Sequence, residues 1–449
     1  LANTVRAPAD ATLAIEVAED VGRRLRDPAA VDESVESARR QQEARLVHWR
    51  PEGLWQGYAG LTLLSAALDA VAPGAGWDRV GHEQLARAGR GLEGRPARDV
   101  GLARGLSGVG FGTWALSRGG TRYARLLRTV DAALVGAVEA RVSALLSARP
   151  HGVGVATFDV IAGLTGAGRY LLERREEPVL GRTLRSVLAA LAYLSEEDGD
   201  GVPHWYTAPG LLTSNFLRAS YPDGHVNLGL AHGIAGPLAL LSLAMVAGVE
   251  VEGQREAIGR AASWLERSRL HDEWGVTFPA VVSIGGRVAD GGADEGHGAA
   301  APAPPSRSAW CYGAPGVARA LWLAGTATGC AAYRDLALEA MGAVYRRPPP
   351  ARRIDSPTLC HGVAGLLQVT VRFRDDVGAP GFDAAAHDLT AQLLGAREPA
   401  SRFGFRNLEP NGGRVDHPGM LDGAAGVALA LLGAAGPIEP AWDAVLLLS

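Results

Sequence analysis

Apolar positions along the 449-residue chain fall into two kinds of stretch that alternate from one end to the other. In the first kind, such as Leu61–Leu68, Leu238–Met245 and Val427–Leu432, nearly every position is small or apolar, as in a helix buried on all sides. In the second, such as Arg122–Leu146 and Ala257–Arg269, charge keeps to one face at helical spacing, which predicts amphipathic helices lying outside the first set. Each stretch of the first kind follows a Gly-x-x-Gly. The glycine pairs are 57/60, 105/108, 163/166, 233/236, 313/316, 362/365 and 423/426, so successive first glycines are 48, 58, 70, 80, 49 and 61 residues apart. Each interval has room for two helices and their connections, about fourteen in all.

A ring of buried helices inside a ring of amphipathic ones is an α/α toroid, and a closed ring brings the seven Gly-x-x-Gly turns to one mouth. The expectation is therefore an all-α fold, a single toroid domain over 1–449. Glycine at these turns predicts left-handed dihedrals and a close approach of backbones where the loop enters the helix. Two long intervals carry irregular sequence. Ser195–Asn227, rich in Gly, Pro, Asp and aromatics, predicts short strands or a small elaboration over the mouth. Ile284–Ser306, dominated by Gly, Ala, Pro and Asp, predicts a flexible loop. The uncharged run Gly233–Val249 approaches the length of a membrane span but contains Gly236, Pro237 and Gly248, so it reads as a buried helix of a large core.

Composition narrows the function. With 47% hydrophobic and 20% charged residues and a formal net charge of −4, nothing points to nucleic acid or an anionic membrane. All 44 basic residues are Arg, which excludes a Schiff-base lysine and the P-loop lysine. Three cysteines make no disulfide framework and favour a reduced, cytoplasmic setting. Leu1–Asp20 lacks the order of a signal peptide, with Arg6, Asp10, Glu16, Glu19 and Asp20 among its apolar positions.

Candidate chemistry gathers at the glycine turns. Cys311, in Trp310-Cys311-Tyr312-Gly313, and the pair Cys360 and His361, in Leu359-Cys360-His361-Gly362, stand at equivalent places in the fifth and sixth repeats. Two thiolates and an imidazole are a recurring zinc set that leaves the fourth tetrahedral position open. The plainer alternative is two buried cysteines and a capping histidine. Cys330 lies away from any turn of the repeat and reads as a buried small apolar residue. His232, immediately before Gly233, is a candidate general acid or base. Asp159, four residues before Gly163, is a candidate to orient a histidine, and Arg307, four before Cys311, a candidate to stabilise an oxyanion. Each of these three also admits a purely structural role.

The stretch Asn227-Leu228-Gly229-Leu230-Ala231-His232-Gly233-Ile234-Ala235-Gly236, with Trp310-Cys311-Tyr312-Gly313 and Cys360-His361-Gly362, resembles the LanC-type lanthipeptide cyclases over essentially the whole chain. The resemblance implies a toroid of seven inner and seven outer helices, in keeping with the seven repeats. It implies Zn²⁺ held by Cys311, Cys360 and His361, with His232 in proton transfer and with Asp159 and Arg307 in the active site. The activity implied is addition of precursor-peptide cysteine thiols to dehydroalanine or dehydrobutyrine, closing thioether rings. The implied partners are a dehydrated precursor peptide with its leader, a dehydratase and an exporter. The absence of kinase-like or lyase sequence before the first repeat suggests the stand-alone form of the enzyme, cytoplasmic and peripheral to a membrane-associated complex.

Three other readings stay open. A LanC-like branch adds glutathione to dehydroamino acids with the same zinc thiolate. Toroidal carbohydrate hydrolases and polyprenyl enzymes form another class, but a hydrolase needs two carboxylates at the mouth, where Asp159 has only Asp422 as a possible second. The last is a non-catalytic peptide-binding scaffold with a structural zinc.

Overall fold

The computed structural model describes residues 9–40, 48–93, 99–284, 306–409, 412–437 and 439–449. The helices in chain order are α1 (Ala9–Arg24), α2 (Pro28–Arg40), α3 (Tyr58–Val71), α4 (Trp77–Leu92), α5 (Leu106–Leu116), α6 (Ala124–Ala148), α7 (Leu164–Glu173), α8 (Pro178–Leu194), α9 (Asn215–Ser220), α10 (Ala235–Val246), α11 (Gln254–Arg267), α12 (Ala314–Thr328), α13 (Ala331–Arg346), α14 (Pro349–Arg352), α15 (Val363–Val377), α16 (Pro380–Gly395) and α17 (Ala424–Ala435). They divide into two compact units, one of Leu1–Ala132 with Ile354–Leu447 and Ser449, the other of Ala133–Arg353 with Leu448.

In the first unit the inner helices α15, α17, α3 and α5 pack each against the next, with α16 on α15 and α4 on α3. The outer place beside α17 is taken by α1, from the sequence before the first repeat. In the second unit α7, α10 and α12 pack in a row, covered by α8, α11 and α13 respectively. Helix α10, drawn from the long uncharged run, is buried over Ala235–Leu241. Helix α11 buries Ala257, Ile258, Ala261, Ala262 and Leu265 and exposes Arg255 and Glu256. Each large aliphatic side chain buried this way contributes about 1.5–3 kcal/mol over leaving it in water. Among the described residues no helix is long and apolar enough to cross a membrane.

Five of the seven turns share one main-chain construction, and the third has it one residue later, at Thr165 N to Phe158 O. No side chain caps the inner helices; the first free N–H instead donates to a main-chain carbonyl seven residues upstream. Tyr58 N to Pro51 O, Leu106 N to Asp99 O, Ile234 N to Asn227 O, Val363 N to Ser356 O and Ala424 N to His417 O all measure 2.9 Å. The loop thus folds back over the helix start and satisfies donors that would otherwise be orphaned. The second glycine makes this possible: a Cβ on Gly60, Gly108, Gly316 or Gly426 would strike the carbonyl oxygen of Leu54, Leu102, Trp310 or Met420. Close approach, then, is the reason for glycine. The expected left-handed dihedral is found at one first glycine, Gly313 (φ 94°), whereas Gly57 (φ −177°) and Gly423 (φ −143°) are extended, because an extended residue already aims the loop back along the helix.

Neighbouring loops are stitched together within each unit. In the first, Leu359 N and Cys360 N both donate to Leu421 O (3.1 and 3.0 Å), Leu421 N to Trp55 O (2.9 Å) and Leu54 N to Ala103 O (3.1 Å). In the second, Val160 N donates to Ala231 O (3.1 Å) and Ala231 N to Cys311 O (3.3 Å).

The 195–227 elaboration holds short β pairings: Glu197 bridges Pro203, Thr207 bridges His225, and His225–Asn227 runs antiparallel to Val281–Ser283. Of the Ile284–Ser306 loop, residues 285–305 lie outside the described residues. Cys330 is half-exposed at the N-cap of α13, not buried, because it falls between α12 and α13 rather than inside either.

Candidate active site

The residue immediately before each first glycine is half-exposed, or exposed in the case of Arg104. In the first unit this register carries Gln56, Arg104, His361 and Asp422; in the second it carries Ala162, His232 and Tyr312. The cysteines stand one place earlier, where the other repeats have the apolar residues Trp55, Ala103, Ile161, Ala231 and Leu421.

In the second unit the structure brings Asp159 and His232 together. His232 Nδ1 lies 2.7 Å from Asp159 Oδ2, and the other carboxylate oxygen accepts from Ala162 N and Gly163 N, both at 2.8 Å, at the start of α7. Asp159 is almost wholly buried, whereas the His232 side chain is 38% exposed. An N–H on Nδ1 would donate to that carboxylate, which leaves Nε2 as the ring nitrogen that Asp159 does not engage. The Tyr312 ring lies 6.3 Å from the His232 ring between centroids, and its hydroxyl accepts from Asn227 Nδ2 at 3.0 Å. Asn227 Oδ1 in turn accepts from Gly229 N. Cys311 is buried, and its carbonyl anchors Ala231, the residue before His232. Arg307 is exposed, its guanidinium pairs with no carboxylate among the described residues, and its carbonyl oxygen packs beneath Gly313.

In the first unit Cys360, His361 and Asp422 offer ligand atoms that all lie within 4.8 Å of one another. His361 Nδ1 is 3.8 Å from Asp422 Oδ1, beyond hydrogen-bond range, while Asp422 Oδ2 accepts from Gln56 Nε2 at 2.6 Å. Asp422 Oδ1 is buried and accepts no hydrogen bond. A thiol, an imidazole and an unsatisfied carboxylate oxygen converging this closely suit a divalent metal of the zinc type. Next to them His417 is wholly enclosed, its Nδ1 accepting from Gly419 N (3.3 Å) and its Nε2 without a partner. Burial pushes its pKa down, which Asp422 opposes and His48 reinforces. His48 is itself depressed, first by desolvation and then by Arg104, against the pull of Asp422.

Sequence reasoning singled out Cys360, His361, Asp159 and His232, but it weighed Asp422 only as a hydrolase carboxylate. It missed Gln56, Tyr312, Asn227 and His417. The signal was present for the first two, since Gln56 and Tyr312 occupy the same place before the glycine as His232 and His361.

Comparison with known proteins bears on the fold and the lineage. The solved structure of nisin cyclase aligns with a TM-score of 0.73 over 93% of this chain and 97% of that chain at 22% identity, which gives the fold as an α/α toroid. The nisin biosynthesis protein NisC of Lactococcus lactis subsp. lactis is 25% identical over 307 residues, 68% of this chain and 70% of the relative. The family described as lanthionine synthetase C-like protein matches residues 48–447, every repeat included, and the chain belongs to it.

Proposed function

We propose that the chain is a single-domain, zinc-dependent cyclase joining cysteine thiols of a dehydrated precursor peptide to dehydroalanine or dehydrobutyrine, which yields lanthionine and methyllanthionine thioethers. The observation that most supports this is the close group of Cys360, His361 and Asp422 at a half-exposed turn, a donor set suited to zinc. Cys360 and His361 hold the metal, and the family motif adds Cys311 as the third ligand. When bound, zinc keeps a peptide thiol deprotonated at neutral pH yet electron-rich enough to attack.

The chain's other residues then handle the proton and the developing charge. As the peptide sulfur bonds to the β-carbon, the π pair of the alkene moves onto the adjoining carbonyl oxygen as an enolate. Arg307, with no carboxylate partner among the described residues, donates to that oxygen. Protonated His232, held through Nδ1 by Asp159, delivers the Nε2 proton to the α-carbon. The proton gained at carbon balances the one the thiol gave up, so substrate and product are isomers. The family resemblance supplies the partners: a leader-bearing precursor, a dehydratase and an exporter, met in the cytoplasm at a membrane-associated complex.

Because cyclisation leaves the mass unchanged, the test is a thiol count. Zinc-loaded protein is incubated with a dehydrated, cysteine-containing precursor, and the peptide is then alkylated and weighed. Loss of alkylatable thiols without a mass change is expected, in parallel with about one zinc per chain that disappears in Cys311→Ala and Cys360→Ala. Undiminished thiols with zinc-loaded protein would overturn the reading, and a mass gain with added glutathione would transfer it to the intermolecular reaction.

A further inference from the structure

We propose that Asp422, gripped by Gln56, is the positioning residue for His361: it selects the ring nitrogen that meets the metal and sets the plane of the ring, while its own oxygens stay off the metal. The inference rests on the zinc reading above and names a part of that site which the ligand motif leaves out.

Asp422 stands between the corresponding residues of the two repeats that flank it, His361 on one side and Gln56 on the other. Gln56 Nε2 occupies Oδ2 at 2.6 Å, which leaves Oδ1 as the oxygen near the His361 ring, 3.8 Å from Nδ1. That oxygen is buried and accepts no hydrogen bond, a costly condition for a carboxylate, which an N–H donor would relieve. A histidine that binds metal through Nε2 carries such a donor on Nδ1, and closing the gap takes a shift of about 1 Å.

The main chain makes the pairing rigid. Leu421, the residue before Asp422, receives both Leu359 N and Cys360 N on its carbonyl, so the loop that bears the carboxylate is tied to the turn that bears the ligands. Leu421 N is tied in turn to Trp55 O, adjacent to Gln56. The sixth, seventh and first repeats are thus registered on one another through the backbone, and the side chains His361, Asp422 and Gln56 repeat that order. The second unit carries the closed form of the same design, where His232 Nδ1 and Asp159 Oδ2 are 2.7 Å apart.

The test compares full-length wild type with Asp422→Asn and Gln56→Ala by zinc content at saturation, by competition against a chromogenic chelator, and by the absorption spectrum of the cobalt(II)-substituted protein. Asp422→Asn is expected to retain one metal per chain and unchanged cobalt bands while losing about 10- to 100-fold in zinc affinity. Gln56→Ala should move the affinity the same way by less. A merely structural Asp422 would lower the melting temperature and leave the affinity of the folded protein alone, which overturns the proposal. Cobalt bands reporting a changed coordination number in Asp422→Asn overturn it as well, since they make the carboxylate a ligand. Wild-type protein that takes up no zinc defeats the zinc reading itself and this inference with it, whereas zinc-replete wild type with an indifferent Asp422→Asn defeats only the inference.

Discussion

The two units each pair a histidine standing immediately before a helix-capping glycine with a carboxylate, yet the pairs differ in completeness. Asp159 and His232 meet at 2.7 Å, with the second carboxylate oxygen fixed by two backbone N–H groups. His361 and Asp422 stand 3.8 Å apart, with one carboxylate oxygen unsatisfied and a cysteine alongside. The first arrangement is finished by the protein alone, as suits a group that moves a proton. The second leaves Asp422 Oδ1 without a hydrogen bond, as suits a carboxylate set to receive an N–H from a metal-binding histidine. On the proposed reading one loop design serves two chemistries, and the difference lies in whether the protein alone or a metal-bound histidine completes the hydrogen bonding of the carboxylate.

The sharpest way to break this comparison is to remove each histidine. His361→Ala should abolish zinc binding and bring cyclisation to background, whereas His232→Asn should keep full zinc content and slow cyclisation about 10²- to 10⁴-fold. Metal analysis beside single-turnover rates reads both, and zinc loss in His232→Asn would erase the distinction. Next comes Asp159→Asn. The amide keeps an acceptor for Ala162 N and Gly163 N but presents N–H to His232 Nδ1, which forces the opposite tautomer. Turnover should fall about 10²-fold or more at unchanged zinc affinity.

A smaller effect is expected on stability, and it should be alike in the two units. Gly316→Ala and Gly426→Ala drive a methyl group into the carbonyls of Trp310 and Met420, at a cost of about 1–3 kcal/mol each, read as a lower melting temperature. A melting temperature unchanged in both would mean that close approach is not what the second glycine serves.

The smallest concerns pH. Burial keeps His417 neutral, so the unfolded chain takes up its proton first as the solution is acidified. Its contribution is intact above the ordinary histidine value of about 6.5 and is lost as pH falls through that value toward the lowered one. His417→Asn retains an acceptor for Gly419 N and should shrink the drop in melting temperature between about pH 7.5 and pH 5.5. The drop should not vanish, because burial depresses His225 in the other unit too. An undiminished drop in the variant would remove His417 as a source of acid sensitivity.

Much of the fold was legible because it is periodic. Seven glycine pairs, each followed by a mostly small and apolar run, mark the inner helices, and one-sided charge marks α6 and α11. The role of α1 as the outer neighbour of α17 was not legible, since pairing across the length of the chain leaves no local pattern. At the site, residues of distinctive chemistry in short motifs stood out. Asp422 and Gln56 did not, because a carboxylate and an amide are common on any surface and gain meaning only from the repeat place they share with His232 and His361. His417 was hidden for another reason: its sequence neighbours Asp416 and Pro418 suggest a solvated turn, and only the folded loop encloses it.

The turns that cap the inner helices owe their shape to main-chain bonds and to glycine, and so ask almost nothing of the side chain that precedes the first glycine. That position behaves as a socket: histidine, aspartate, glutamine, arginine, tyrosine and alanine all occupy it, each immediately before the glycine that starts an inner helix. Such a scaffold can exchange its reactive groups one at a time without refolding. Ala162, the smallest occupant, is the one socket of the seven that carries no polar side chain.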